Sequence, residues 1–282
     1  MPSWETHRSI YEMLSREVEG FIVWTKGLLD KIDKIIDAMG EHDLGRKLDP
    51  VSFQRLLYYL WLEFGDAYVN GRFLGLRTKY EREAWMREAM RRGTVYEGNV
   101  LLYIPDDALV LASLHHILDL CMDYLLNNPI GREESYLMVE YAKQKLWELG
   151  YVVRLMGLTA IGGRTHGEIF HWLIDVLRSY SHRLYDLMVK DLKAKGLEPG
   201  YGPEALKKLL SDFVKRKGYY GIIHVNGRPL PLAAAAGYIF KELRRKHIVE
   251  LGFTKHRDPY APIHTKIKAS SLRELFELLK TL

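Results

Sequence analysis

The sequence predicts an α+β fold, and three observations predict it. Apolar residues recur at helical spacing through most of the first 200 positions. Strict two-residue alternation appears near the C-terminus, and Gly and Pro gather between the two regimes at GLEPGYGPE, residues 196–204. The chain has 282 residues, 48% apolar and 27% charged, enough to bury a core and unlike a disordered or low-complexity polymer. The expected division is a helical extension over 1–48, a helix-rich region over 49–196 and a basic region over 203–282.

From Ile10 to Met39 the spacing of Phe21, Leu28, Leu29, Ile32, Ile35 and Ile36 predicts an amphipathic helix or helix pair, broken by GEHDLGRKLDP. A helix over Val51–Phe64 ends at Gly65; strand-like YVNGRFLGL and a charged helix over Tyr80–Arg92 follow. TVYEGNVLLYI reads as extended, and Pro105-Asp106-Asp107 opens an apolar helix that Asn127–Gly131 stops. Glu133–Leu149 is amphipathic, YVVRLMG is strand-like, and GEIFHWLI alternates in part before helical spacing resumes near Leu177 and runs to Lys195. After residue 203 the order is helix to Lys217, strand GYYGIIHV, turn Asn226-Gly227, and helix Pro231–His247. A strand pair follows, then a terminal helix capped by Ser270 or Ser271, with Glu274 at the capping-box position for Ser271.

Several function classes drop out. Cys121 is the single cysteine, so no internal disulfide forms, and its apolar surroundings suit a buried thiol rather than a nucleophile. The first thirty residues carry charges throughout, and Ala108–Leu126 is interrupted by His115, His116, Asp119 and Asp123, so a cytoplasmic chain without a membrane segment is expected. Seven Asn and Gln in all point to a thermophilic source. There is no GxxxxGK, no GxGxxG after a strand and no GxSxG, which removes nucleotide-driven and acyl-transfer enzymes.

The net charge of +5 is unevenly spread. Residues 201–282 hold 16 Lys and Arg against 7 Asp and Glu, a net +9, while the first 200 residues carry −4. Such asymmetry is the electrostatic footprint of a polyanion partner. In I263-H-T-K-I-K-A269 the residues Ile263, Thr265, Ile267 and Ala269 face one way and His264, Lys266 and Lys268 the other, so one sheet face is core and the other basic. The residues expected to contact nucleic acid are His224, Arg228, Lys255, His256, Arg257, His264, Lys266 and Lys268, with double-stranded DNA the expected partner, RNA the alternative, and a monomer the expected state.

The order of elements after residue 203, the glycine-ended helix LLSDFVKRKGYY and the ending SSLRELFELLK together resemble one repeat of the LAGLIDADG homing endonucleases. That resemblance implies two αββαββα repeats pairing through their first helices, each delivering an acid to a metal at the pseudo-twofold axis. In Leu210-Ser-Asp-Phe-Val-Lys-Arg-Lys-Gly218 the acid position holds Lys217. Upstream, Leu60-Trp-Leu-Glu-Phe-Gly-Asp-Ala-Tyr-Val69 resembles the LGDGYV variant, with Asp66 at the acid position and Ala67 where a second Gly usually stands. The resemblance then implies Glu133–Leu149 as the middle helix of a first repeat, YVVRLMG and GEIFHWLI as its second strand pair, LRSYSHRLYDLMVK as its last helix, and residues 77–130 as an insertion. By the same resemblance Asp66 would be catalytic and would bind Mg²⁺ for phosphodiester hydrolysis or nicking. With Lys217 in the other half, a non-catalytic nucleic-acid binder is the alternative.

Three further patterns carry chemistry. Glu41-His42-Asp43 with His7 faintly resembles an HD-type metal phosphohydrolase. His115/Asp119, His171/Asp175 and His182/Asp186 are each spaced i,i+4 and would build a metal site in a helical enzyme. Tyr58, Tyr59, Trp61 and Phe64 are aromatic enough to stack bases, although such spacing is more often core.

Overall fold

A computed structural model describes residues 2–19, 21, 26–38, 50–93, 100–148, 166–258 and 260–282. Among these residues the architecture is α+β with two small antiparallel sheets. The chain divides into two compact units, one of Met1–Met122 with Arg132–Met188 and the other of Asp123–Gly131 with Val189–Leu282. The extension expected over 1–48 thus belongs to the same unit as the helix-rich region, and GLEPGYGPE lies inside the second unit.

In the first unit, α1 (Trp4–Glu17) starts where the Ser3 hydroxyl accepts from the Thr6 amide at 3.2 Å, and it buries Ile10 and Leu14. The amphipathic stretch proves to be a helix pair, α1 and α2 (Lys26–Ala38), which pack together. Helix α3 (Pro50–Phe64) leads into β1 (Asp66–Val69) and β2 (Arg72–Phe73). Asn70 (φ 49°) and Gly71 (φ 75°) form the two-residue turn between them, a backbone shape that Asn and Gly tolerate and branched residues do not. Helix α4 (Lys79–Arg92) carries a capping box between Thr78 and Glu81, and β3 (Val100–Tyr103) pairs with β1 to give the order β2-β1-β3.

Helix α5 (Asp106–Asn127) is the apolar one, with Leu111, Ala112, Leu114, Ile117, Leu118 and Cys121 fully buried. It is long and apolar enough by composition to cross a membrane, contrary to the expectation from its polar residues, yet 83% of its most apolar window is buried in the protein. Helices α6 (Tyr136–Glu148) and α7 (His166–Ser179) pack on each other, and α8 (Ser181–Ala194) follows.

One expectation needs correction. GEIFHWLI is helical, because buried Phe170, Leu173, Ile174 and Leu177 recur at the 3.6-residue period that its partial alternation obscured. Residues 77–130, expected as an insertion, supply α4, the strand β3 that pairs with β1 in the first sheet, and α5. YVVRLMG lies outside the described residues.

The second unit follows its expected order: α9 (Pro203–Lys217), β4 (Ile222–Val225), β5 (Arg228–Pro231), α10 (Leu232–Arg244), β6 (Val249–Phe253), β7 (Thr265–Ala269) and α11 (Leu272–Thr281). The sheet order is β5-β4-β6-β7, antiparallel throughout, and helices α9, α10 and α11 contact one another over its apolar face. Phe213 meets Phe253 edge-on at 4.9 Å between ring centroids, among buried Ile223, Leu251, Ile267 and Leu275.

Candidate functional site

Strand register decides which expected residues share the outer face of the second sheet. Pairing of His224 with Pro229 and Gly252, and of Gly252 with Lys266, puts these four in one row; Glu250 and Lys268 lie in the next. Lys266 and Lys268 are exposed while Ile267 and Ala269 are buried, as the alternation predicts.

The rest of that face is not the open basic surface expected. Arg228 pairs with Val225, a core residue, so its row belongs to the helix-covered face and it is exposed only because it ends the hairpin. His224 is 8% exposed, and the Ile263 side chain lies over the sheet beside it: a Cβ on Gly252 would stand 2.8 Å from Ile263 Cδ1 and 3.2 Å from His224 Cβ. Glu250 stands among the lysines, with a carboxylate oxygen 3.3 Å from Lys266 Nζ.

The β6–β7 connection carries more of the charge. Lys255, His256 and Arg257 are exposed, and the His256 amide donates to Thr254 Oγ1 at 3.1 Å, which shapes the turn. The His256 and His264 rings stack at 5.8 Å between centroids. Tyr260, 87% exposed, stands in the same loop, its amide donating to Asp258 Oδ1 at 2.9 Å. Sequence reading missed Tyr260, although an aromatic among the turn formers of KHRDPYAP was the available signal. Among the described residues, Lys255, Arg257 and Lys268 stand in no ion pair.

Asp66 sits at the joint between α3 and β1. Its Oδ1 accepts from the Ala67 amide at 2.7 Å and the Leu76 amide at 3.1 Å, its carbonyl accepts from Trp61 Nε1 at 2.6 Å, and the residue is 8% exposed. Among the described residues it belongs to no cluster of three or more His, Cys, Asp or Glu ligand atoms. An acid already holding two amides, and in no such cluster among the described residues, does not fit a Mg²⁺ site, which needs several oxygen ligands in octahedral array. Lys217 is exposed in the last turn of α9 beside Lys215 and Arg216, where cations complement the helix dipole. Of the aromatics on α3, Trp61 is buried while Tyr58 and Tyr59 remain exposed.

The three His/Asp pairs separate. His171 and Asp175 lie on α7, and Asp186 on α8 is bound by Arg132 at 3.1 Å on the surface. His115 and Asp119 on α5 instead meet His7 of α1 and Asp33 of α2 in the interior. His115 Nδ1 is 2.8 Å from Asp33 Oδ1, and the His7 and His115 rings are 4.5 Å apart. Burial pulls the His115 pKa down, but the carboxylates of Asp119 and Asp33 outweigh it and carry it to about 9. Burial first, then the charge on Asp33, raises the Tyr11 hydroxyl well above its ordinary value. Glu41-His42-Asp43 lies outside the described residues. No family model matches this chain, and no curated protein or solved structure matches it either.

Proposed function

We propose that the chain binds double-stranded nucleic acid, DNA in the first place, through the β6–β7 loop and β7 of its second unit, as a monomer and without cutting it. The observation that carries this is the net +9 of residues 201–282 together with Lys255, Arg257 and Tyr260 exposed in the β6–β7 loop and Lys268 exposed on β7, the three cations standing in no ion pair among the described residues. Lys and Arg contacts to phosphate supply affinity by counterion release, and a protruding tyrosine adds a hydroxyl for phosphate or a ring for an unpaired base.

A diverged two-repeat scaffold like that of the LAGLIDADG endonucleases belongs to this proposal. It is supported by a shared hairpin: Val69-Asn70-Gly71-Arg72 and Val225-Asn226-Gly227-Arg228 each join the edge strand of a sheet to the strand beside it. The first repeat then runs from α3 through β3 and α5. Loss of cutting is supported by Lys217 in one half and by the hydrogen-bonded Asp66 in the other.

The test is fluorescence anisotropy of the full chain on a random DNA duplex across a salt series, with an RNA duplex in parallel. A steep salt slope is expected, flattened by about one unit for each phosphate contact removed in Lys255→Ala, Arg257→Ala and Lys268→Ala. Equal binding by wild type and the triple variant, or no binding at low salt, overturns the proposal. Tighter binding to RNA reassigns the partner. Mg²⁺-dependent nicking that disappears in Asp66→Asn would restore the nuclease.

A further inference from the structure

Helices α1, α2 and α5 each place polar side chains at one point of an otherwise apolar interior. His7 shares its helix face with Ile10 and Leu14, Asp33 lies between Ile32 and Ile36, and His115 and Asp119 stand one turn apart among the buried residues of α5. His7, Asp33, His115 and Asp119 are 2, 1, 3 and 8% exposed. Two carboxylates at such depth require compensating positive charge. A divalent cation with two neutral imidazoles and two carboxylates leaves the site neutral.

Distances separate ligands from supports. Two atoms bound about 2.1 Å from a tetrahedral ion stand about 3.4 Å apart. Asp119 Oδ2 is 3.5 Å from His115 Nε2, and Asp119 Oδ1 is 3.8 Å from His7 Nε2, both near that spacing and long for hydrogen bonds. On the other edge of the rings, Asp33 Oδ1 lies 2.8 Å from His115 Nδ1 and 3.8 Å from His7 Nδ1. The shorter of these is a hydrogen bond, the carboxylate–imidazole contact that orients a ligating histidine and fixes its tautomer.

We propose that His7 Nε2, His115 Nε2 and the Asp119 carboxylate bind one divalent first-row transition-metal ion, with zinc as the reference, and that Asp33 positions the two imidazoles. Imidazole and carboxylate without thiolate select Zn²⁺, Co²⁺, Fe²⁺ or Mn²⁺ over Mg²⁺ and Ca²⁺, which take oxygen alone. The four side chains are buried, with the Tyr11 hydroxyl and the His116 ring among their polar neighbours, so the ion's task is to pin α1 and α2 to α5. None of these residues lies in the nucleic-acid surface proposed above, and the two ideas stand or fall separately.

The test uses the full chain stripped with chelator and titrated with Zn²⁺ and with Co²⁺, reading metal content, Co²⁺ visible absorption and unfolding temperature. One bound equivalent, Co²⁺ bands of a nitrogen–oxygen site and a raised unfolding temperature are expected. Asp119→Asn and His7→Gln should lose stoichiometric binding, and Asp33→Asn should weaken it by about 10–100-fold without abolishing it. Should His7→Gln fail to fold, Asp119→Asn with wild-type circular dichroism and cooperative unfolding decides the matter. No stoichiometric uptake by wild type, or undiminished uptake by Asp119→Asn, overturns the proposal and leaves a buried carboxylate–imidazolium network only.

Discussion

Arg82 of α4 reaches back across the chain to donate its Nε–H to the carbonyl oxygen of Leu62 at 2.6 Å. The same guanidinium serves Glu63, Gly65 and Leu76 carbonyls at 2.9, 3.0 and 2.8 Å, so one buried side chain satisfies the C-terminal carbonyls of α3 and the segment after the hairpin. Arg82→Met should cost on the order of 3 kcal/mol or more, because several carbonyls lose their donors together. Arg82→Lys should recover less than half of that, since an ammonium cannot reproduce the planar fork. Urea unfolding followed by fluorescence of Trp61 and Trp85, whose rings are 6.0 Å apart, reads both variants.

Asp66 gives a paired prediction at the same joint. Asp66→Asn keeps an Oδ1 acceptor for the Ala67 and Leu76 amides and should stay within about 1 kcal/mol of wild type, whereas Asp66→Ala strands both and should cost about 2 kcal/mol. Equal losses in chemical denaturation would show that the two hydrogen bonds do not set the role of Asp66.

The N-terminus of α4 should be sensitive to acid. Amides of Thr78 and Arg77 donate to the Glu81 carboxylate and hold its pKa below the ordinary 4.5. A carboxyl lowered in the folded state contributes stability that is present above 4.5 and is lost as pH falls below it. Glu81→Gln should flatten the dependence of unfolding temperature on pH in that range. Thr78→Ala, which removes the other half of the box, should cost about 1 kcal/mol at neutral pH.

Cys121 should be silent to thiol reagents in the native protein. It is fully buried in α5, and burial pushes its thiol pKa far up, so little thiolate forms and no reagent reaches it. Labelling with iodoacetamide should appear only in denaturant. Rapid native labelling would show that α5 opens locally.

Much of the helical architecture was legible in the residues. The expected helix over Val51–Phe64 begins one position earlier at Pro50, Pro203–Lys217 is α9 as expected, and of the two candidate caps Ser271 serves α11, its hydroxyl accepting from the Glu274 amide while the Glu274 carboxylate accepts from Ser270. The Asn226-Gly227 turn was visible because its left-handed backbone needs those residue types, whereas the same pair at Asn70-Gly71 breaks the expected single strand YVNGRFLGL into two. The partner of a four-residue strand was not visible. Val100–Tyr103 carries no mark that it pairs with Asp66–Val69, and that pairing brings a strand of the segment expected as an insertion into the first sheet.

The candidate sites divide in the same way. His115 and Asp119 were legible as a pair because helical spacing is local, but Asp33, 82 residues from His115, joins them only through the packing of α1 and α2 with α5. His224, expected as a contact residue of the open face, does lie on the outer face, but it is buried there with the Ile263 side chain over the neighbouring Gly252. By itself the sequence determined helix periods, caps, turns and the placement of charge, since each depends on residues within a few positions. Tertiary structure alone decided which polar groups are buried and which stay exposed, because that depends on what distant segments pack against them.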